Sequence, residues 1–133
     1  MNLLLDTHAF LWTVLNPRRL PEAALSAVED QENEVFVSAV SLWEISIKYR
    51  LGKIDLINLT TEDLIPSALK MGYLLIELPP EEAVTQGNLK ENTHFDPFDR
   101  MLIWQAISRE LTLVSGDAEF RRFTKHGLKL LWK

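Results

Sequence analysis

Four acidic residues, Asp6, Glu44, Asp99 and Asp117, stand where an apolar, strand-like run gives way to a predicted helix, or early in such a helix. The segments are Leu3-Leu4-Leu5-Asp6, Val35-Phe36-Val37 followed by Ser41-Leu42-Trp43-Glu44, Asp96-Pro97-Phe98-Asp99-Arg100, and Leu113-Val114-Ser115-Gly116-Asp117. If the strands run parallel, their carboxyl ends share one edge of the sheet, where open α/β folds place their ligands. Carboxylates gathered there repel one another unless protons or cations neutralise them. Hard oxygen donors, in a chain with no cysteine and no His-x-x-x-His pair, favour Mg2+ or Mn2+ over zinc. Such ions lower the pKa of bound water and stabilise a leaving oxygen, which are the two needs of phosphodiester hydrolysis.

Taken singly, each acid has a structural explanation. Ser41-Leu42-Trp43-Glu44 fits a capping box, with the glutamate reaching back to the serine backbone N–H. Asp96 before Pro97 fits an N-cap and leaves Asp99 at the third helical position, where the helix dipole favours negative charge. Asp117 and Asp6 can cap the helices that follow them. Caps act independently, however, and give four acids no reason to share an edge. Asparagine caps about as well as aspartate but lacks its charge, so it separates the two roles.

The elements that must position these acids alternate. Strands are expected at Asn2 to Leu5, Glu34 to Ser38, Tyr73 to Leu78, Thr112 to Val114 and Leu128 to Trp132. Helices are expected over Ala9 to Leu15, from Pro21, over Ser41 to Leu51 with Gly52 as stop, and over Thr61 to Met71 despite Pro66. Further helices open at Pro79-Pro80 and run over Pro97 to Glu110 and Asp117 to Phe123, with a polar loop at Lys90 to Phe95. The segment Ile54 to Leu59 favours neither state. This alternation argues for an α/β fold with a mostly parallel sheet covered on both faces.

At 133 residues and 47% hydrophobic composition, the chain reads as a single domain, 1–133, large enough to bury a core unaided. Its apolar stretches are too short to span a bilayer, and its start lacks the features of a signal peptide, so a cytoplasmic protein is expected. The formal charge of −5 counts against nonspecific nucleic-acid binding. It leaves a nuclease open, since two bound divalent cations would bring the sum to −1 and concentrate positive charge where phosphate sits.

Leu5-Asp6-Thr7-His8, Ser41-Leu42-Trp43-Glu44, His94-Phe95-Asp96-Pro97-Phe98-Asp99-Arg100 and Ser115-Gly116-Asp117, in that order over nearly the whole chain, resemble PIN-domain ribonucleases. The likeness is greatest to VapC-type toxins of type II toxin–antitoxin pairs. The resemblance implies a three-layer α/β/α PIN-like domain and a Mg2+- or Mn2+-dependent endoribonuclease, with Asp6, Glu44, Asp99 and Asp117 as catalytic metal ligands. It also implies a homodimer and a cognate antitoxin that sets a basic side chain against the acids. Ser115, Asp96, Thr7 and His8 are candidates for the layer behind the ligands. Lys48, Arg100, Arg121 and Arg122 are candidates for contact with RNA, although Lys48 and Arg100 equally suit surface ion pairs and the cluster of Arg121, Arg122 and Lys125 a solvated face. His94 and His126 rank lower. Trp12, Trp43 and Trp104, with Phe10, Leu42 and Ile45, offer more apolar surface than a small core needs; most of it suits the core and some a partner. Two other classes compete: a noncatalytic α/β binding module whose acids are only caps, and a receiver-like domain that accepts phosphate on one aspartate. Among nucleases, the acidic balance favours a defined, structured RNA as substrate.

Overall fold

A computed structural model of the chain describes residues 1–94 and 96–133. Phe95, which closes the expected polar loop and belongs to the quoted motif, lies outside the described residues. Five strands, β1 (Asn2–Leu5), β2 (Glu34–Ser38), β3 (Leu74–Ile76), β4 (Thr112–Val114) and β5 (Lys129–Leu131), form one parallel sheet in the order β3-β2-β1-β4-β5. The chain moves outward from β1 to β2 and β3, then crosses back to lay β4 on the other side of β1. The β1/β4 boundary is therefore the topological switch point, the crevice in which open parallel sheets bind ligands.

Burial explains the central strand. Leu3, Leu4 and Leu5 are all fully buried, as a strand covered on both faces requires. Leu3 and Leu5 pack with Phe10, Val35, Val37, Ile45 and Val114 on one face, while Leu4 joins Leu102, Ile103, Leu113, Phe120 and Phe123 on the other. The two-residue alternation thus divides one apolar run between two cores. Helices α1 (Thr7–Leu15), α2 (Glu22–Glu29), α3 (Ala39–Arg50), α4 (Leu64–Lys70), α5 (Pro80–Thr85) and α6 (Pro97–Ser108) complete the three layers.

Several boundaries differ from expectation, and the caps explain the most consequential ones. Helix α1 starts at Thr7 because the Asp6 side chain already accepts from Ala9 N at 2.8 Å. Helix α3 starts at Ala39, not Ser41, because Ser38 is extended and its hydroxyl accepts from Val40 N at 3.0 Å. The capping box expected at Ser41 and Glu44 does not form, and both residues lie buried inside the helix. A capping box forms instead at Thr60 and Asp63, ahead of α4, whose first turn holds Pro66. Helix α3 ends where Gly52 adopts a φ of +73°, with Gly52 N donating to Tyr49 O and Lys53 N to Lys48 O. That pair of bonds is a Schellman motif. The expected helix at Asp117 is a 3-10 segment, Ala118–His126, closed by Gly127 at a φ of +100°. The third and fifth strands are shorter than expected, and α6 stops at Ser108.

Candidate active site

Asp6, Glu44, Asp99 and Asp117 line one cavity of about 390 Å3, together with Thr7, His8, Lys48 and Asp96. Asp6 follows β1 and Asp117 follows β4, so the cavity opens at the switch point; Glu44 enters from α3 and Asp99 from α6. Trp12, Phe120 and Trp132 supply an apolar wall. Gly116 lets Trp132 close it, since a Cβ there would stand 2.6 Å from the indole. A larger cavity, about 610 Å3, lies at the amino ends of β2 and β3 beside Asn33, Val35 and Tyr73 and holds none of the expected site residues. Size therefore does not mark the site, and the acids do.

Caps position three of the acids. Asp6 caps α1, Asp96 accepts from Asp99 N at 2.9 Å to cap α6, and Asp117 accepts from Glu119 N at 2.9 Å. Each such bond uses one carboxylate oxygen, Oδ1, and a carboxylate has further acceptor sites. Capping and ligation are thus compatible, and the cap fixes the direction in which the other oxygen points. Ser115, buried behind the pocket, accepts from Asp117 N at 3.1 Å.

Glu44 is 3% exposed and held at both oxygens. The Thr7 hydroxyl donates to Oε1 at 2.6 Å, and the Lys48 ammonium donates to Oε2 at 2.6 Å. Thr7 Oγ1 also lies 3.1 Å from Ser41 Oγ, which explains why Ser41 faces inward. Lys48 therefore makes the i, i+4 ion pair that its spacing suggests, but it makes it inside the cavity. Asp99 is held by His94, whose Nε2 lies 2.9 Å from Oδ2. An ionised carboxylate only accepts, so this nitrogen carries the hydrogen. The His94 ring stands edge-on to Phe120 and Phe123, with centroids at 5.7 and 6.1 Å. Sequence reasoning undervalued His94; its signal was a histidine five residues ahead of Asp99, in the loop that the Asp96 cap anchors.

The electrostatics match a crowded acid pocket. Burial pushes the Asp6 carboxyl up to about 6; hydrogen bonds from Ser115 and Ala9 and the neighbouring His8 oppose the shift, and the charge of Asp99 adds to it. Asp99 is also raised, first by burial and then by Asp96 and Glu44, against the hydrogen bond from His94. Lys48 is held above the ordinary lysine range, first by its hydrogen bond to Glu44 and further by the charges of Glu44, Asp96 and Asp99. The donor set fits a hard divalent cation, with carboxylate oxygens from four segments and mutual repulsion for the ion to relieve. Among the described residues, no three His, Asp or Glu side chains converge closely enough to grip one ion as they stand.

The basic candidates divide. Arg100 is spent on the loop before α6, where its guanidinium donates to the carbonyls of Leu89, Glu91 and His94; it is neither a surface ion pair nor a free phosphate ligand. Arg122 bonds Thr93 and pairs with Glu119 at the surface. Arg121 is exposed in the hollow next to Ser115 and Asp117. His8 is exposed at the rim, edge-on to Trp12 at 6.5 Å. Of the tryptophans, Trp43 alone is largely exposed, at 57%, and its ring meets Phe98 edge-on at 5.0 Å. No helix among the described residues is long and apolar enough to cross a membrane.

The model of the PIN domain family matches residues 3–126. Ribonuclease VapC22 of Mycobacterium tuberculosis is 30% identical over 118 residues, which cover 89% of this chain and 88% of that protein. Among solved structures, VapBC2 from Rickettsia felis, bound to a DNA fragment from its promoter, superposes with a TM-score of 0.68 at 19% identity over the full length of both chains. VapBC-1 from nontypeable Haemophilus influenzae gives 0.67 at 18% identity, covering 98% of this chain and 97% of that one. Those two structures speak to the fold, and the family model and the VapC relative speak to descent. The chain belongs to the PIN-domain family and is related within it to a VapC ribonuclease.

Proposed function

We propose that the chain is one PIN-like domain acting as a Mg2+- or Mn2+-dependent endoribonuclease, the toxin of a toxin–antitoxin pair in the cytoplasm. The observation that carries this reading is the convergence of Asp6, Glu44, Asp99 and Asp117 on one cavity at the β1/β4 switch point. These four would hold the cation, which when bound supplies an activated water and stabilises charge on the leaving oxygen. The chain's own groups prepare the ground. Thr7 fixes one oxygen of Glu44, His94 fixes Asp99, the caps orient Asp6 and Asp117, and Trp12 and Trp132 limit the water around the acids. One structure of this fold, VapBC-5 from Mycobacterium tuberculosis, is a member of the VapBC family of toxin–antitoxin systems, and the proposal extends that partnership to this chain. Exposed Trp43, Leu51, Ile65 and Leu69 leave apolar surface suited to an antitoxin and to a second copy of the chain.

The caps favour a specific rival, a noncatalytic module in which the acids only start helices. Asp6→Asn separates the two because it keeps the bond to Ala9 N and removes the charge. On the nuclease reading, cleavage of total RNA with Mg2+ or Mn2+ disappears in Asp6→Asn, Asp99→Asn and Asp117→Asn while thermal unfolding stays at or above that of the parent. Equal RNA profiles from parent and variant, or loss of folding with activity per folded molecule retained, would return the site to capping alone. Light scattering at micromolar concentration tests the homodimer, and a strict monomer there would remove it.

A further inference from the structure

The two basic residues that partner acids of the site, His94 on Asp99 and Lys48 on Glu44, differ in how they are held. The His94 ring packs edge-on against both Phe120 and Phe123, two buried members of the second core. The Lys48 backbone is fixed in the Schellman turn that ends α3, where its carbonyl accepts from Lys53 N. Its side chain is one-third exposed, and among the described residues its ammonium has one partner, Glu44 Oε2. Glu44 does not need that partner to keep its place, because Thr7 holds the other oxygen.

We infer that Lys48 is an exchangeable counter-ion: it neutralises Glu44 while no metal is bound, yields that oxygen to the divalent cation, and then binds the phosphate of the RNA. The inference rests on the nuclease reading and assigns one residue a place in it. Five carboxylates against a single ammonium leave the cavity with a formal charge of −4, a field that repels a phosphodiester. A divalent cation competes for Glu44 with twice the charge of lysine. Once Glu44 serves the metal, the ammonium is the only free cation of the chain lining the cavity among the described residues, at the end of a stem long enough to turn. The same atom that guards the site without metal thereby becomes a substrate contact with it.

Two measurements must move in opposite directions. Lys48→Met should bind Mn2+ alone about tenfold more tightly by calorimetry, the scale of a unit charge removed a few ångströms from a divalent ion. At saturating Mn2+ the same variant should lose on the order of 10- to 100-fold in kcat/KM on total RNA, as expected for a lost charge-assisted phosphate contact. Lys48→Arg should recover part of that loss. If Lys48→Met does not fold without metal, Lys48→Gln, which can still donate to Glu44, gives the same two readouts. Unchanged or weaker Mn2+ binding, or full cleavage at saturating Mn2+, overturns the exchange. If the parent binds Mn2+ and cleaves RNA, such a result removes only the role of Lys48; if the parent binds no Mn2+, the nuclease reading falls and this inference with it.

Discussion

Glu82 and Glu44 are both nearly sealed from solvent, 9% and 3% exposed, and both carry a basic partner, Arg109 at 2.7 Å and Lys48 at 2.6 Å. Around Glu82 the polar groups are matched. Gln105 Nε2 donates to it at 2.9 Å, Arg109 donates to both oxygens, and Gln105 accepts from Ser38 and donates to Glu77 O. That network ties α5 and α6 to the end of β2. Around Glu44 one lysine faces five carboxylates in a cavity. A buried ion pair is therefore no mark of a site; the mark is charge that the fold gathers and leaves uncompensated. Substitutions at the two glutamates should give opposite results.

The largest contrast should come from Glu44→Gln. Thr7 can still donate to the amide oxygen, so folding should survive, while RNA cleavage with Mn2+ should drop by about a thousandfold, the scale of a lost transition-state charge contact. Cleavage within threefold of the parent would show that Glu44 is as structural as Glu82. The converse is Glu82→Ala, which strands Arg109 and Gln105. It should cost roughly 3 kcal/mol in denaturant unfolding, as for other broken buried pairs, with cleavage per folded molecule retained. A loss below about 1 kcal/mol would mean that solvent replaces the network.

The fold was largely legible because hydrophobic runs alternate with capped helices, and Leu3, Leu4 and Leu5 could only be a strand buried on both faces. The acids were legible as an ordered set. What the sequence could not show is which polar group answers which. Ser41 and Glu44 match a capping box in spacing, yet Ser38 wins the cap three residues earlier, and that frees Glu44 for the cavity. Arg100 suited an ion pair or a phosphate contact until the loop carbonyls claimed it, and His94 ranked low until the fold carried it to Asp99. Each such outcome depends on contacts that spacing along the chain does not encode.

His94 offers the next test, smaller in effect. If it positions Asp99, then His94→Ala should weaken Mn2+ binding about tenfold, the lower end for residues that orient metal ligands. That sign is opposite to the one expected for Lys48→Met, although both substitutions remove a partner of a site acid. Two variants shifting Mn2+ affinity in the same direction would erase the distinction between a fixed and an exchangeable partner.

The last contrast is in pH dependence, where the sign is definite. In the folded metal-free protein Asp6 keeps its proton up to about pH 6, because burial opposes the charged form, whereas the unfolded chain releases it near the ordinary value of 3.8. Between those values the folded state binds the extra proton, so this group's contribution to stability falls as pH rises from about 4 to about 6 and is constant above. The raised Asp99 adds to the same trend. Other carboxylates impose slopes of their own, so the informative quantity is the difference between parent and Asp6→Asn, which cannot lose the proton. Urea midpoints should show the variant gaining on the parent across that window and keeping its lead at neutral pH. Mn2+ should then narrow the gap above pH 6, because it stabilises the ionised carboxylate that burial penalises. Parallel pH curves for the two proteins would mean that Asp6 does not carry the charge stress that sets this pocket apart from the one around Glu82.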